Sequence, residues 1–181
     1  MAHLIRTSGS HRVFADASSV DLVDESTVAE FSPEWDDNGL VEAAPADGDA
    51  TGIKILCGQE VGRVIVTAQL WDGPPLLEVD GWQDVAEIQV HWASAFIDFS
   101  TDTQREDPAQ LLDLDGPGDY RVRVSGRNRD DGDPRDDQGP VEGYLIQVWL
   151  APSHAAGHQA ANGSVTYKRT SDLATEYTTS C

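Results

Sequence analysis

The sequence predicts an all-β protein: a single antiparallel β-sandwich, or a partly open barrel, of about seven to eight strands. Three observations carry this expectation. Short runs rich in β-branched and aromatic residues recur along the chain, Gly, Pro and Asp clusters separate them, and no stretch sustains a helical period. The clearest signal runs from Gly116 to Pro152, GPGDYRVRVSGRNRDDGDPRDDQGPVEGYLIQVWLAP. It reads as two strands joined by a long acidic loop.

Taken in order, residues 1–11 read as a frayed start. His11–Asp16 and Ser18–Val23 follow as short strands. Ser26–Trp35 supports a helical turn and a strand equally well, and Ser32-Pro33 ends either one. Gly39–Glu42 is a short strand inside a small-residue acidic loop. Gly52–Cys57 and Gly62–Trp71 are strands, the second stopped by Asp72-Gly73-Pro74-Pro75. Trp82–Trp92 alternates Ala86, Ile88, Val90 and Trp92 against Val85, Glu87, Gln89 and His91, so one face is buried and the other largely polar. Ala95–Phe99 turns back from it. Asp107–Leu112 offers one helical turn, with Pro108 at the first helical position.

In the hairpin, Pro117-Gly118-Asp119 supplies the opening turn. Tyr120, Val122 and Val124 then point one way, and Arg121, Arg123 and Ser125 the other. In the second strand, Tyr144, Ile146, Val148 and Leu150 line one side and Leu145 and Trp149 the other, as in a central strand covered on both faces. Four of the five tryptophans, Trp71, Trp82, Trp92 and Trp149, fall in or beside strands, and an inter-sheet core with Trp149 beside Leu145 is expected. From Ser153 the composition turns small, polar and aperiodic. The expected organisation is therefore a sandwich domain over 1–152 and a mostly disordered tail over 153–181.

Acidic residues outnumber basic ones 32 to 12, a formal charge of −20. Such an excess repels the phosphates of nucleic acid and of anionic membranes, so neither is an expected direct partner. It suits solubility, or the steering of a basic protein. The charge is −9 over residues 1–51, −4 over 52–97, −7 over 98–142 and zero over 143–181. The acid lies in the N-terminal region and the loops. No apolar run is long enough to span a membrane, and the start MAHLIRTSGSHRVFADASS has no apolar core of a signal peptide, so the cytoplasm is the expected address. Cys57 and Cys181 are too few for a disulfide framework, and Cys57 reads as a small buried hydrophobe.

The densest acidic cluster is Asp130, Asp131, Asp133, Asp136 and Asp137. Its spacing fails a calcium loop, because no Glu closes it, Pro134 interrupts it, and Arg127, Arg129 and Arg135 offset its charge. It reads as a solvated hairpin tip and a partner-facing surface. His154 and His158 have zinc spacing but no helix and no third ligand. His91, Glu87, Glu142 and Asp98 sit on or beside strands without a nucleophile, and Gly116-Pro117-Gly118 precedes a strand instead of the helix a phosphate loop needs. No catalytic residue, metal site or cofactor is expected.

The order GPGDYRVRV, acidic loop, EGYLIQVW resembles a group of small actinobacterial β-sandwich proteins. More distantly, it looks like competence protein J, of the nuclease-inhibitor type. The likeness spans about Gly52 to Pro152 and is firm over Gly118–Val124 and Glu142–Trp149. It implies a fold and, through the inhibitor-like family, the binding and silencing of a nuclease. Together these make the leading expectation a non-enzymatic acidic interaction protein, inhibitor- or immunity-like, that binds a basic partner such as a nuclease or toxin. A small-molecule or carbohydrate-binding sandwich using Trp35 or Trp82 is the alternative, and a hydrolase the third.

Overall fold

The computed structural model describes residues 1–23, 38–44, 52–99, 111–131, 142–152 and 163–173. These hold eleven strands: β1 (Leu4–Ala15), β2 (Ser19–Val23), β3 (Val41–Ala43), β4 (Gly52–Leu56), β5 (Gly62–Trp71), β6 (Asp84–Trp92), β7 (Phe96–Phe99), β8 (Leu112–Asp113), β9 (Gly118–Arg127), β10 (Gly143–Leu150) and β11 (Val165–Arg169). They form an all-β sandwich. One sheet has the order β1-β5-β10-β9-β6-β11, and the other β3-β4-β2-β7-β8. The second lies across the first with β8 against β1 and β5, and with β3 and β4 against β6.

Alternation explains the core. Val64, Val66, Ala68 and Leu70 of β5, Ile146 and Val148 of β10, Val122 and Val124 of β9, and Ile88 and Trp92 of β6 face inward, where Val20, Leu22, Ile53 and Ile55 of the other sheet meet them. Removing these branched side chains from water is the main favourable term for such a fold. The expected hairpin is β9 and β10, paired in register from Gly143–Arg127 to Leu150–Tyr120.

Five expectations need correction. The sandwich is not antiparallel throughout: β10 runs parallel to β5. After β5, residues 72–83 return along the outside of the large sheet, where Arg123 donates to the Pro75 carbonyl and Lys168 to the Val79 and Trp82 carbonyls. β6 therefore starts at the same end as β5. The antiparallel pairs β6–β9 and β9–β10 then force β10 to run with β5.

The start is not frayed, since β1 begins at Leu4 and pairs with β5 as far as Trp71. Register shifts between Leu4 and Arg6 and between Thr7 and Ser10, with Gly9 at φ 72°, break the alternation that would have announced it. Leu112, the end of the expected helical turn, belongs to β8, while Asp107–Gln110 and the ambiguous Ser26–Trp35 lie outside the described residues.

The segment expected to be a disordered tail contributes β11, antiparallel to β6. Its pairing is made by backbone groups, which leave no apolar pattern in the sequence. Trp149, finally, is buried at 3% exposure, but on the outer face of the sheet beneath Arg123 and away from the inter-sheet layer. Trp92 holds the inter-sheet place.

Candidate functional site

The acidic hairpin leaves the sandwich at the end where β9 stops and β10 starts. Its base is built around Arg129. Asn128, at φ 57°, turns the chain out of β9, a conformation Asn tolerates better than most residues. Arg129 then folds back into the protein. Its guanidinium donates to the Asp84 carboxylate, to Ser171 Oγ at 3.2 Å, to the Gly39 carbonyl at 3.1 Å and to the Leu56 carbonyl at 3.0 Å. Its backbone N–H donates to Gln83 Oε1 at 2.6 Å. One buried side chain thus ties the hairpin base to four other segments.

The second leg is held by Glu142, whose carboxylate accepts the backbone N–H groups of Gly58 at 2.8 Å and Gln59 at 2.9 Å. Gly58 is required here, because a Cβ at that position would stand 1.9 Å from the Arg129 carbonyl oxygen.

The electrostatics of this buried end differ from group to group. Burial pushes the Asp84 carboxyl up, but the Arg129 guanidinium and the Ser171 and Thr170 donors outweigh it and hold Asp84 below its ordinary value of 3.8. Burial dominates at Glu142, which is raised above 4.5 in spite of its donors. Tyr144 Oη, within hydrogen-bond distance of both Glu142 Oε1 and the Leu56 carbonyl, is one of those outweighed donors. Burial also drives the Cys57 thiol far above its ordinary range, so it is inert packing, as expected from its surroundings.

Of the five aspartates expected to face a partner, the structure describes two. Asp130 is exposed yet engaged. Its Oδ1 accepts the Asp172 N–H at 2.9 Å and the Leu173 N–H at 3.4 Å, and its Oδ2 accepts from Gln83 Nε2 at 3.0 Å. Asp131 is exposed beside it. Asp133, Asp136 and Asp137 lie outside the described residues, as do Trp35, His154 and His158.

Arg127 covers the Trp82 ring, 5.5 Å from its centroid, so that face of the expected aromatic platform is occupied. His91 is exposed and meets Asp119 at 2.9 Å. Asp98 Oδ1 accepts the Phe99 N–H.

Sequence reasoning missed Arg129 and Glu142 as the pillars of this end. Arg129 sits in an acidic run, where it reads as charge balance, and nothing in a period-2 pattern marks an arginine that turns inward after its strand has ended.

No family model and no curated protein matches the sequence. Solved structures do match the fold. ComJ from Bacillus subtilis, described as an inhibitor of the DNA-degrading activity of NucA, superposes with a TM-score of 0.54 at 15% identity, over 83% of this chain and 99% of its own. The two proteins share a fold. The resemblance expected from GPGDYRVRV and EGYLIQVW holds at that level. The product described as crocagin biosynthetic gene J also matches, with a TM-score of 0.46 at 15% identity, over 82% of this chain and 100% of its own.

Proposed function

We propose that this chain is an acidic inhibitor-like protein that binds a basic protein partner, a nuclease or toxin, through the hairpin end of the sandwich. The observation that carries the reading is the fold shared, over almost all of its length, with an inhibitor of a DNA-degrading enzyme. The distribution of charge supports it. Segments 24–37, 45–51, 100–110, 132–141, 153–162 and 174–181, all outside the described strands, hold 15 of the 32 acidic residues and 2 of the 12 basic ones. A surface that competes for a nucleic-acid groove needs carboxylates on connections held by a rigid base. Arg129 and Glu142, which flank segment 130–141 in the chain, supply such a base.

The test begins with a pull-down from the native host, followed by association kinetics at two salt concentrations. The wild type should associate more slowly as salt rises, because exposed charges are screened beyond roughly 8 Å at physiological ionic strength. Changing Asp131, Asp133, Asp136 and Asp137 to Asn should slow association further. The captured partner should degrade DNA, or otherwise act on it, and lose that activity in the complex. Equal, salt-independent rates for both proteins would sink the proposal and leave the acidity as an aid to solubility.

A further inference from the structure

β11 and the residues on either side of it, 163–173, sit on the body of the protein as a ligand sits on a receptor. No residue of this segment belongs to the inter-sheet core. It is held by pairing with the β6 edge and by polar anchors. Lys168 Nζ donates to the Val79 and Trp82 carbonyls at 3.2 and 2.6 Å. The Thr170 and Ser171 N–H groups both donate to Asp84 Oδ1, at 2.8 and 3.1 Å. Tyr167 Oη donates to Glu87 at 3.0 Å, and Ser171 is fully buried between Asp84 and Arg129.

Every receiving side chain also has another partner in the body. Asp84 has Arg129, Glu87 has Arg121 and Arg123, and Asp130 has Gln83. Emptying the groove therefore strands no buried charge, the usual reason an element cannot leave. The segment is joined to β10 through residues 153–162, SHAAGHQAAN, which contain no Val, Ile, Leu or Met.

We infer that the β6 edge, residues 79–83 and the Asn128–Asp130 turn form a strand-addition groove. Its ligand is an extended, positively charged segment of a partner protein, and residues 163–173 occupy it in cis. A cation site selects the ligand. The groove presents the Val79 and Trp82 carbonyls to Lys168, while its Asp84 and Glu87 carboxylates, already paired with arginines, accept the neutral donors of the Thr-Ser pair and of Tyr167. Strand addition of this kind draws affinity from main-chain bonds and specificity from side-chain pockets. Here the pockets accept an aromatic residue, a lysine next to it, and a serine three positions beyond the lysine. The cis segment, at an effective concentration on the order of millimolar, sets the threshold a partner must exceed. This inference does not rest on the nuclease reading, since its probe is the chain's own peptide.

A cleavage site placed within residues 153–162 of the otherwise full chain tests it. The nicked, folded protein is mixed with a fluorescent synthetic peptide of residues 163–173. Anisotropy reports binding, native mass spectrometry reports exchange, and circular dichroism reports the fold. The expected result is saturable exchange with the fold retained, with about tenfold weaker binding for peptides carrying Lys168→Ala or Ser171→Val, which lose charge-assisted hydrogen bonds. A segment that never exchanges, a body that unfolds as the segment leaves, or equal binding of a scrambled peptide would each overturn the inference. Uncut chains that dimerise by trading segments would overturn the choice of a partner and put a second copy in its place.

Discussion

The two faces of the six-stranded sheet are both dry at their centre and are kept dry in different ways. The inner face is aliphatic, and the second sheet covers it. The outer face carries Glu87 and Arg123, at 5% and 4% exposure, with Trp149 beneath them. Residues 72–83 and β11 cover it. Glu87 is shared by Arg121, at 2.7 Å, and Arg123, at 3.1 Å, and Arg123 lies between the rings of Trp149 and Tyr167, 5.0 and 5.5 Å from their centroids. Hydrophobic packing tolerates small errors of shape, whereas a buried ion cluster needs every charge met. Alternation along a strand states which residues share a face. It does not say whether that face meets water.

The largest effect is expected where the second mechanism is broken. Glu87→Ala leaves two enclosed guanidinium groups without their carboxylate and should cost about 3–5 kcal/mol, the range for removing one partner of a buried pair. Glu87→Gln should cost nearly as much, although its shape is kept. On the inner face, a comparably mild change, Ile146→Val, should cost only about 0.5–1.5 kcal/mol, while Trp92→Ala, which opens a cavity, should reach about 3–5 kcal/mol. Urea unfolding of the four variants decides the matter. Were Glu87→Gln as mild as Ile146→Val, the outer cluster would be an ordinary surface network and the contrast between the faces would fall.

Trp149 connects the two faces, because it was expected in one and found in the other. Its alternation with Tyr144, Ile146 and Val148 already placed it opposite them. The apolar character of Trp149 and Leu145 then suggested a core, and burial is indeed what the structure shows for Trp149. The identity of its cover was illegible, since residues 72–83 read as a stop and residues 163–173 as a tail. In the same way the hairpin, β5, β6 and the inner core follow from period-2 patterns. β11, the parallel β5–β10 pair and the base around Arg129 depend on backbone pairing, chain direction and long-range polar contacts, which leave no local trace. Trp149→Ala should cost about 3 kcal/mol, and Trp149→Leu about 1 kcal/mol, since the latter restores burial and loses mainly the ring under Arg123. Equal losses would show that the cation above the ring contributes nothing.

The inner face ends in ionisable groups, and pH separates them. Asp84 is held below its ordinary value of 3.8 in the folded protein, so its contribution is complete above 3.8 and is lost as pH falls through the lower folded value. Glu142 is raised above 4.5, which has the opposite sign. Its ionisation opposes folding above the raised value, and stability returns as pH falls from there toward 4.5. The advantage of the wild type over Asp84→Asn should therefore be constant at neutral pH and shrink below 3.8. The balance between wild type and Glu142→Gln should shift toward the wild type as pH falls through a higher window, from the raised value down to 4.5. Differences that stay flat across both windows would remove the assignment of these two carboxyls.

The smallest effects belong to the exit from β9, where Asp130 and Asp131 repeat the contrast in miniature. Both are exposed, yet one carboxylate is built into the fold. Asp130 caps the turn at Asp172–Leu173 with one oxygen and receives Gln83 Nε2 with the other. Gln83 is fixed in that orientation because its Oε1 accepts the Arg129 N–H. In Asp130→Asn an amide nitrogen opposes another donor, whichever oxygen is kept for the turn, so the cost should be about 1 kcal/mol, as for the loss of a helix cap. Asp131→Asn should stay within about 0.5 kcal/mol of the wild type, as surface changes usually do. Hydrogen exchange at the Asp172 and Leu173 amides gives the sharper reading. Exchange there should quicken in Asp130→Asn and remain unchanged in Asp131→Asn. If both variants left these amides equally protected, Asp130 would join its neighbour as a surface charge, and a charge-neutralised hairpin would have no need to spare it.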